Sequence, residues 1–333
     1  MNGSNKSHFW NKAGVTRLYY LIKPAIPRLI QIRLRRMIIK RALPHMDSVW
    51  PIDERTAHPP EGWTGWPENK QFALILTHDV ESLRGVHKCR RLAQIEMDHG
   101  FRSSFNFVAK KYRTPVEIRQ YLVDNGFEVG VHGAYHDGKK FTSRKIFLDR
   151  ARIINEYLEK WDAVGFRSPS MHHNLEWIGD LNIEYDLSTF DTDPFEPQAG
   201  GIGTIFPFMV PRKDHGSPFV EMPYTLPQDF TPFVLIGEKS PDIWKRKLDW
   251  IVEKGGMALV NVHPDYMAFD GARPGVDEYP AKIYEDFLVY LKERYQNDFY
   301  HCLPRELARY FIKSGNSAQN TKEERKSHES QRQ

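Results

Sequence analysis

Between residues 71 and 313 the sequence predicts an α/β fold, a distorted (β/α) barrel of about seven parallel strands. Three observations carry this expectation. Short apolar runs alternate with longer amphipathic stretches. About seven such units fit the roughly 240 residues that one barrel occupies. Acids, histidines and one arginine gather just beyond the ends of the runs, where α/β folds place their chemistry. A doubly wound sheet is the alternative arrangement of the same elements.

The elements follow in order. Residues 1–14 are polar. Residues 15–46 mix aliphatic side chains with Arg and Lys, and positions 1–46 hold ten Lys/Arg and no Asp or Glu. This basic helical extension is too often interrupted by charge to span a bilayer. It also lacks the apolar core and small-residue cleavage site of a secretory signal. Leu29, Ile32, Arg33, Arg36 and Ile39 leave its faces only partly sorted. Two readings stay open: a helix lying on an anionic membrane surface, or a helix packed on the body with solvated charges. Residues 47–70 carry Pro51, Pro59, Pro60, Gly62, Gly65 and Pro67 between Trp50, Trp63 and Trp66. This reads as a packed irregular arm that completes a 1–70 extension.

Strand-like runs fall at 72–77, 102–108, 127–131, 164–167, 183–188, 218–223, 233–236 and 257–262. Helical patterns fall at 84–99, 115–125, 142–160, 174–180, 240–254, 280–296 and 304–313. Thr142 or Ser143 supplies a start signal, and Ser240-Pro241 reads as a cap followed by proline at the first helical position. Residues 189–232 break the rhythm with Gly, Pro and aromatic residues, the mark of a functional loop region. Residues 314–333 are polar and read as a disordered tail.

Composition narrows the function classes. A hydrophobic content of 40% with 27% charged residues is that of an ordinary soluble chain. Outside the first 46 residues, 37 Lys/Arg face 43 Asp/Glu, so the body is mildly acidic and offers nucleic acid no basic surface. The two cysteines, Cys89 and Cys302, make no disulfide framework and fit a reducing compartment. The expected location is cytoplasmic, with peripheral contact at the inner face of an anionic membrane through residues 15–46.

Four loop tips carry the chemistry. Phe72-Ala-Leu-Ile-Leu76 runs into Thr77-His78-Asp79-Val80-Glu81, with two acids at i and i+2. One acid suits a metal and the other a base beside activated water, although such a pair more often caps a helix or pairs with Arg84. His132 and His136 are four apart, a spacing that on a helical turn points both imidazoles one way and chelates a divalent ion. Histidine pairs at this spacing also arise by chance, and here Gly130 and Gly133 leave room around them. Arg167 ends the run Ala163-Val-Gly-Phe166, where it can hold a carboxylate by a bidentate contact or stand as a surface cation. His263 follows Leu259-Val-Asn-Val262 and precedes Pro264, as a proton donor to a leaving amine or a hydrogen-bonded core histidine.

In this order the motifs resemble the polysaccharide deacetylases, carbohydrate esterase family 4 with NodB homology. The likeness covers about residues 71–313 and rests on Thr77-His78-Asp79, His132-Gly-Ala-Tyr-His136, Arg167-Ser168-Pro169 and Leu259-Val-Asn-Val-His263. It implies metal-assisted hydrolysis of an N-acetyl group on a carbohydrate. Carried over, Asp79 is the general base, His263 the general acid and Arg167 the residue that orients Asp79. Glu81, His132 and His136 bind one divalent metal, Zn2+ foremost and Co2+ or Ni2+ otherwise. Tyr135, Pro169 and Ser170 line the substrate. Val80 stands where the family's second acid usually lies, so Glu81 as ligand and Asp79 as ligand both remain open. Ser170 replaces an aromatic residue after Arg-x-Pro. The acid that partners His263 is among Asp186, Asp191, Asp193 and Glu221. Some relatives cleave cyclic ureides or imides without metal. A metal-free hydrolase of a cyclic amide and a silent glycan-binding barrel are therefore the competing readings.

Overall fold

The computed structural model describes residues 27–198, 200–213 and 216–313. Residues 15–26 of the expected basic extension and the expected tail at 314–333 lie outside the described residues. Seven parallel strands form a curled sheet: β1 (Phe72–Val80), β2 (Ser104–Phe107), β3 (Glu128–Val131), β4 (Gly165–Phe166), β5 (Tyr185–Asp186), β7 (Phe219–Glu221) and β8 (Met257–Val262). β6 (Phe208–Val210) adds an antiparallel edge to β7, and β11 (Phe299–His301) pairs parallel with the start of β1. A separate two-stranded ribbon joins β9 (Met267–Ala268) to β10 (Tyr279–Pro280). The curl excludes the flat doubly wound alternative. Thr225 and Leu226 both donate backbone N–H groups to the Leu259 carbonyl and so bridge the segment after β7 to β8.

β1 is the axis of this sheet, and all nine of its residues are buried. One of its edges pairs with β8 over Ala73–His78. The other is shared, with β11 along Phe72–Leu74 and β2 along Thr77–Val80. A strand with partners on both edges and no solvent face needs a continuous apolar run, and Phe72–Leu76 supplies it. Alternation then divides the polar tip. Thr77 and Asp79 point to one side. His78 points to the other, where its Nε2 lies 2.8 Å from Glu96 on α2 (Leu83–Asp98).

The outer layer is α2, α3 (Val116–Asp124), α4 (Arg144–Trp161), the short α5 (Leu175–Ile178), α6 (Asp242–Lys254), α7 (Lys282–Tyr295) and a helix over 304–313. All seven expected helices are present within two or three residues of their expected ends. Ser143 is the cap of α4, accepting from the Ile146 N–H. Pro241 occupies the cap position of α6 and not its first turn, one residue off the expected placement. The N-terminal arm is packed as its tryptophans suggest: Trp50 and Trp66 are buried, and Trp66 Nε1 donates to the Gly255 carbonyl at 2.8 Å. Cys89 and Cys302 are both buried and free.

Two expectations about the sheet change. Residues 233–236 are no strand; Phe230–Ile236 is a wide π-helical turn, six of its seven residues buried. A four-residue apolar run does not by itself distinguish a buried strand from a buried helical turn. β6 and β11 were not expected, because each is only three residues long and shows no clean alternation.

The helix α1 (Arg28–Ala42) packs against the π-helical turn. It buries Gln31, Ile32, Ile39 and Ala42, and Arg36 donates to the carbonyls of Val234 at 2.9 Å and Val276 at 3.1 Å. No described helix is long and apolar enough to cross a membrane.

The sheet tolerates little change where strands crowd. A Cβ on Gly165 of β4 would lie 2.0 Å from the buried Tyr185 ring on β5. Gly165→Ala is expected to destabilise the protein by about 1–3 kcal/mol in denaturant titration, through overpacking of a rigid neighbour. An unchanged midpoint would mean that β4 and β5 can move apart freely.

Candidate active site

The site lies at the C-terminal ends of β1, β2, β3 and β8 and begins with Asp79. Its side chain is 1% exposed, which on its own would drive a carboxyl toward the neutral form. Three donors reverse this. Asn106 Nδ2 and Arg167 Nη1 reach Oδ1 at 3.1 and 3.3 Å, and Asn261 Nδ2 reaches Oδ2 at 2.9 Å. The charges of Arg167 and His263 act with Asn261 to hold the carboxyl well below the usual range. Asp79 is therefore a buried carboxylate, ionised at neutral pH.

The register explains the approach of these donors. Asp79 sits directly across from Asn106 on β2, and Asn106 across from Gly130 on β3. A Cβ at Gly130 would lie 2.2 Å from Asn106 Oδ1, so only glycine leaves space for the amide. Arg167 does not make the bidentate contact expected from sequence. Its Nη1 is shared between Asp79, Asn261 Oδ1 at 2.6 Å and Thr77 Oγ1 at 2.9 Å, while Nε donates to the Leu187 carbonyl. Because Arg167 donates to Asn261 Oδ1, the amide nitrogen of Asn261 is left to face Asp79.

His132 extends β3, and its backbone N–H donates to the Phe107 carbonyl. The chain then turns at Gly133, φ +73°, against Pro169, whose Cδ would stand 2.7 Å from a Cβ there. The two histidines thus meet over a glycine turn and not on a helical turn. Their rings are 5.5 Å apart. One donor atom each from Glu81, His132 and His136 lie within 4.8 Å of one another. Glu81 Oε1 is 2.7 Å from His136 Nε2, and Tyr266 donates to Oε2 at 2.5 Å. Burial raises the Glu81 carboxyl, and His136, His263 and Tyr266 outweigh it and bring it well below the ordinary value. His132 is pushed down to about 4, mainly by burial, so its imidazole is neutral. Both of its ring nitrogens are buried without a hydrogen-bond partner. Such orphaned nitrogens are rare in a folded chain, and a divalent ion is the chemistry that would take the one bearing the lone pair. The three residues fit a metal.

His263 follows β8. Asp229, the residue before the π-helical turn, accepts from the His263 backbone N–H at 2.8 Å and lies 2.7 Å from Nδ1. Tyr279 donates to the same carboxylate at 3.0 Å. Burial lowers the imidazole, but Asp229, followed by Glu81 and Asp79, raises it to about 10. His263 is a cation at neutral pH, with Nε2 3.9 Å from Asp79 Oδ2.

The acid beside His263 is therefore none of the four expected. Asp186 accepts from Ser188 at 2.6 Å, Asp191 pairs with Lys247 at 2.5 Å, Asp193 accepts from Tyr224 at 3.0 Å, and Glu221 accepts from Thr189 at 2.5 Å. Asp229 lies inside the irregular 189–232 stretch, without a strand pattern to mark it. Asn261 did carry a signal: it stands two residues before His263 on one strand, hence on the same face. Asn106 carried none beyond being polar in a buried run. A fourth unexpected group is Glu196, which accepts from Gln228 at 2.6 Å, lies 3.0 Å from the Tyr224 hydroxyl and is pushed up to about 8 by burial and by Asp193. Gln228 in turn accepts from Asn261 at 2.9 Å, which links the loop acid to Asp79.

These groups line a cleft of about 490 Å3, with Asp79, Glu81, His132, His136 and His263 together in its lining and Ser170, Phe195 and Phe230 also on its walls. Of the three expected substrate contacts only Ser170 lines it. Pro169 is buried behind Gly133, and Tyr135 turns outward beneath the Arg150 guanidinium, 5.5 Å from the ring. Arg84, the mundane partner for the acids of β1, pairs instead with Asp277.

Similar solved structures share this architecture. A Mycobacterium smegmatis protein assigned as a polysaccharide deacetylase matches with a TM-score of 0.60 at 17% identity, over 78% of this chain and 96% of its own. The Puue allantoinase matches at 0.56 and 16%, over 79% and 97%. A polysaccharide deacetylase assigned in Pseudomonas aeruginosa PAO1 matches at 0.53 and 15%, over 74% and 93%. The chain has the polysaccharide deacetylase fold. No family model matches the sequence, and no curated protein matches it significantly.

The His263–Asp229 pair has a pH signature. It stabilises the fold fully below the unfolded histidine value near 6.5, and that contribution is lost as pH rises through about 10. In Asp229→Asn the imidazole keeps its burial and loses its main counter-charge. Its proton should then leave at least about one pH unit lower, read by nitrogen-15 NMR of the ring. An unshifted titration would remove Asp229 from this role.

Proposed function

We propose that the protein is a metal-dependent hydrolase that removes an N-acetyl group from an amino sugar in a glycan or glycan precursor. The observation that carries this reading is His132, whose two buried ring nitrogens lack partners beside Glu81 and His136. Those three residues would hold one divalent ion, Zn2+ or else Co2+ or Ni2+. Glu81 is preferred over Asp79 as the third ligand, because it is the acid whose oxygen lies within 4.8 Å of donor atoms of both His132 and His136, while the Asp79 oxygens accept from Asn106, Arg167 and Asn261. The ion, when bound, supplies Lewis acidity toward the amide carbonyl and acidifies water.

The protein's own groups divide the remaining work. Asp79, kept ionised, takes the proton of the attacking water as general base. Arg167 and the two asparagines hold its carboxylate in one orientation. His263, kept protonated by Asp229, delivers a proton to the departing amine nitrogen. The base and the acid differ in environment in the required sense: one carboxyl is lowered and one imidazole is raised. Phe195 and Phe230 add apolar surface to the cleft wall beside which a sugar ring would lie.

The likeness to an allantoinase keeps a second reading in view, a cyclic-amide hydrolase working without metal. The two part at the ligand triad. Purified protein should carry about one divalent ion per chain by mass spectrometry, and a His132→Ala/His136→Ala variant should carry none. Protein that holds no ion and regains none from zinc, cobalt or nickel would transfer the case to the metal-free reading. With metal bound, acetate release from N-acetylated sugars should fall about 10²–10⁴-fold in kcat in Asp79→Asn and in His263→Ala. Full activity in either variant would overturn its assigned role.

A further inference from the structure

We propose that the outward face of α1 is a contact surface for an anionic lipid bilayer, placed so that the active-site cleft opens beside the headgroup layer. The inference goes beyond the hydrolytic reading and does not depend on it. An ordinary surface helix turns one apolar stripe to the core and a polar face to water. α1 is apolar on both sides. Its inner side buries Ile32, Ile39 and Ala42. Its outer side carries Ile30, Leu34 and Met37 at 46, 39 and 44% exposure, at i, i+4 and i+7, with Leu29 beside them at 43%. Four of the ten exposed large apolar side chains among the described residues thus fall within nine residues of one helix, which scattered surface exposure would not produce.

Charge selects the occupant. α1 holds six Arg/Lys and no acid. Arg28, Arg35 and Arg36 are taken up by the body: Arg28 pairs with Asp277, Arg35 lies over the Phe230 ring, and Arg36 donates to two carbonyls. Arg33, Lys40 and Arg41 remain exposed along the outer apolar stripe. An apolar stripe set among solvated cations fits a helix lying in the plane of an anionic interface, with its aliphatic groups below the headgroups and its cations among the phosphates. A protein partner would need a strongly acidic, apolar surface of matching shape, for which nothing in the molecule argues.

The placement also joins the surface to the site. Arg28 and Arg35 line the same cleft as Asp79 and His263. A sugar carried in the headgroup layer would meet the cleft mouth without leaving the interface.

The test is flotation of the full chain with vesicles of phosphatidylcholine alone or with an equal part of phosphatidylglycerol. The wild type should float with the anionic vesicles and not the neutral ones, and raised salt should weaken it. Ile30→Asp/Leu34→Asp and, separately, Arg33→Glu/Arg41→Glu should each weaken binding at least about tenfold, with the thermal unfolding transition unchanged. Wild type that does not float would overturn the proposal. So would variants that float like the wild type, since binding then resides elsewhere in the chain. A concentration-dependent dimer abolished by Ile30→Asp/Leu34→Asp, without vesicle binding, would overturn it by assigning the face to a second copy. Binding is read without turnover, so either result stands apart from the acyl-hydrolysis question.

Discussion

A carboxylate with almost no access to water sets the terms for the rest of this site. Desolvation alone would push Asp79 toward its neutral form. The fold answers with donors from three strands, and each answer constrains something else. Asn106 can reach inward only because β3 has glycine opposite it. Asn261 presents its amide nitrogen only because Arg167 occupies its oxygen. Arg167 is fully buried in turn, with Nε on the Leu187 carbonyl, Nη1 also on the Thr77 hydroxyl and Nη2 left without a partner. Removing any one partner would leave a buried polar group unpaired, which costs more than the lost contact itself.

The same logic separates the two halves of the site. On one side, charge balance keeps a carboxyl ionised. On the other, Asp229 keeps an imidazole protonated despite its burial. His132 lies between them with no partner for either ring nitrogen and is neutral. A neutral imidazole can ligate a metal and a protonated one cannot, so the different surroundings of His132 and His263 leave the two histidines in different chemical states.

Much of this was legible in the sequence, and the limits have physical causes. The apolar run of β1 and the alternation of its tip place Thr77 and Asp79 on one side, and the ends of β3 and β8 place His132 and His263 nearby. These follow from strand periodicity alone. The helices were legible because they are long and amphipathic. Asp229 was hidden because no period governs the chain where it lies, and four other acids competed for its place. Its neighbour Phe230–Ile236 was read partly as a strand, since an apolar run reports burial and not backbone conformation. The backbone turn at Gly133 was equally out of reach, because a four-residue spacing is satisfied by a helix or by a glycine turn. Tyr135 lies outside the cleft lining for that reason, as the turn swings it toward Arg150.

The misread turn also explains why the basic extension belongs to the body's architecture. Asp229 immediately precedes Phe230, and α1 fastens the following residues from outside. Arg28 and Arg35 lie over the Phe230 ring at 5.6 and 5.0 Å, and Arg36 bonds the Val234 carbonyl. A π-helical turn has poorer backbone geometry than an α-helix and persists where its surroundings hold it. Here those surroundings are α1 on one side and Trp244 and Tyr279 against Phe233 on the other. Tyr279 also donates to Asp229, so one residue braces both the turn and the carboxylate it presents. The position of the His263 counter-ion therefore depends on a helix more than 180 residues earlier in the chain. That dependence ties the cationic segment to Asp229 through the turn it holds and not through an ion pair.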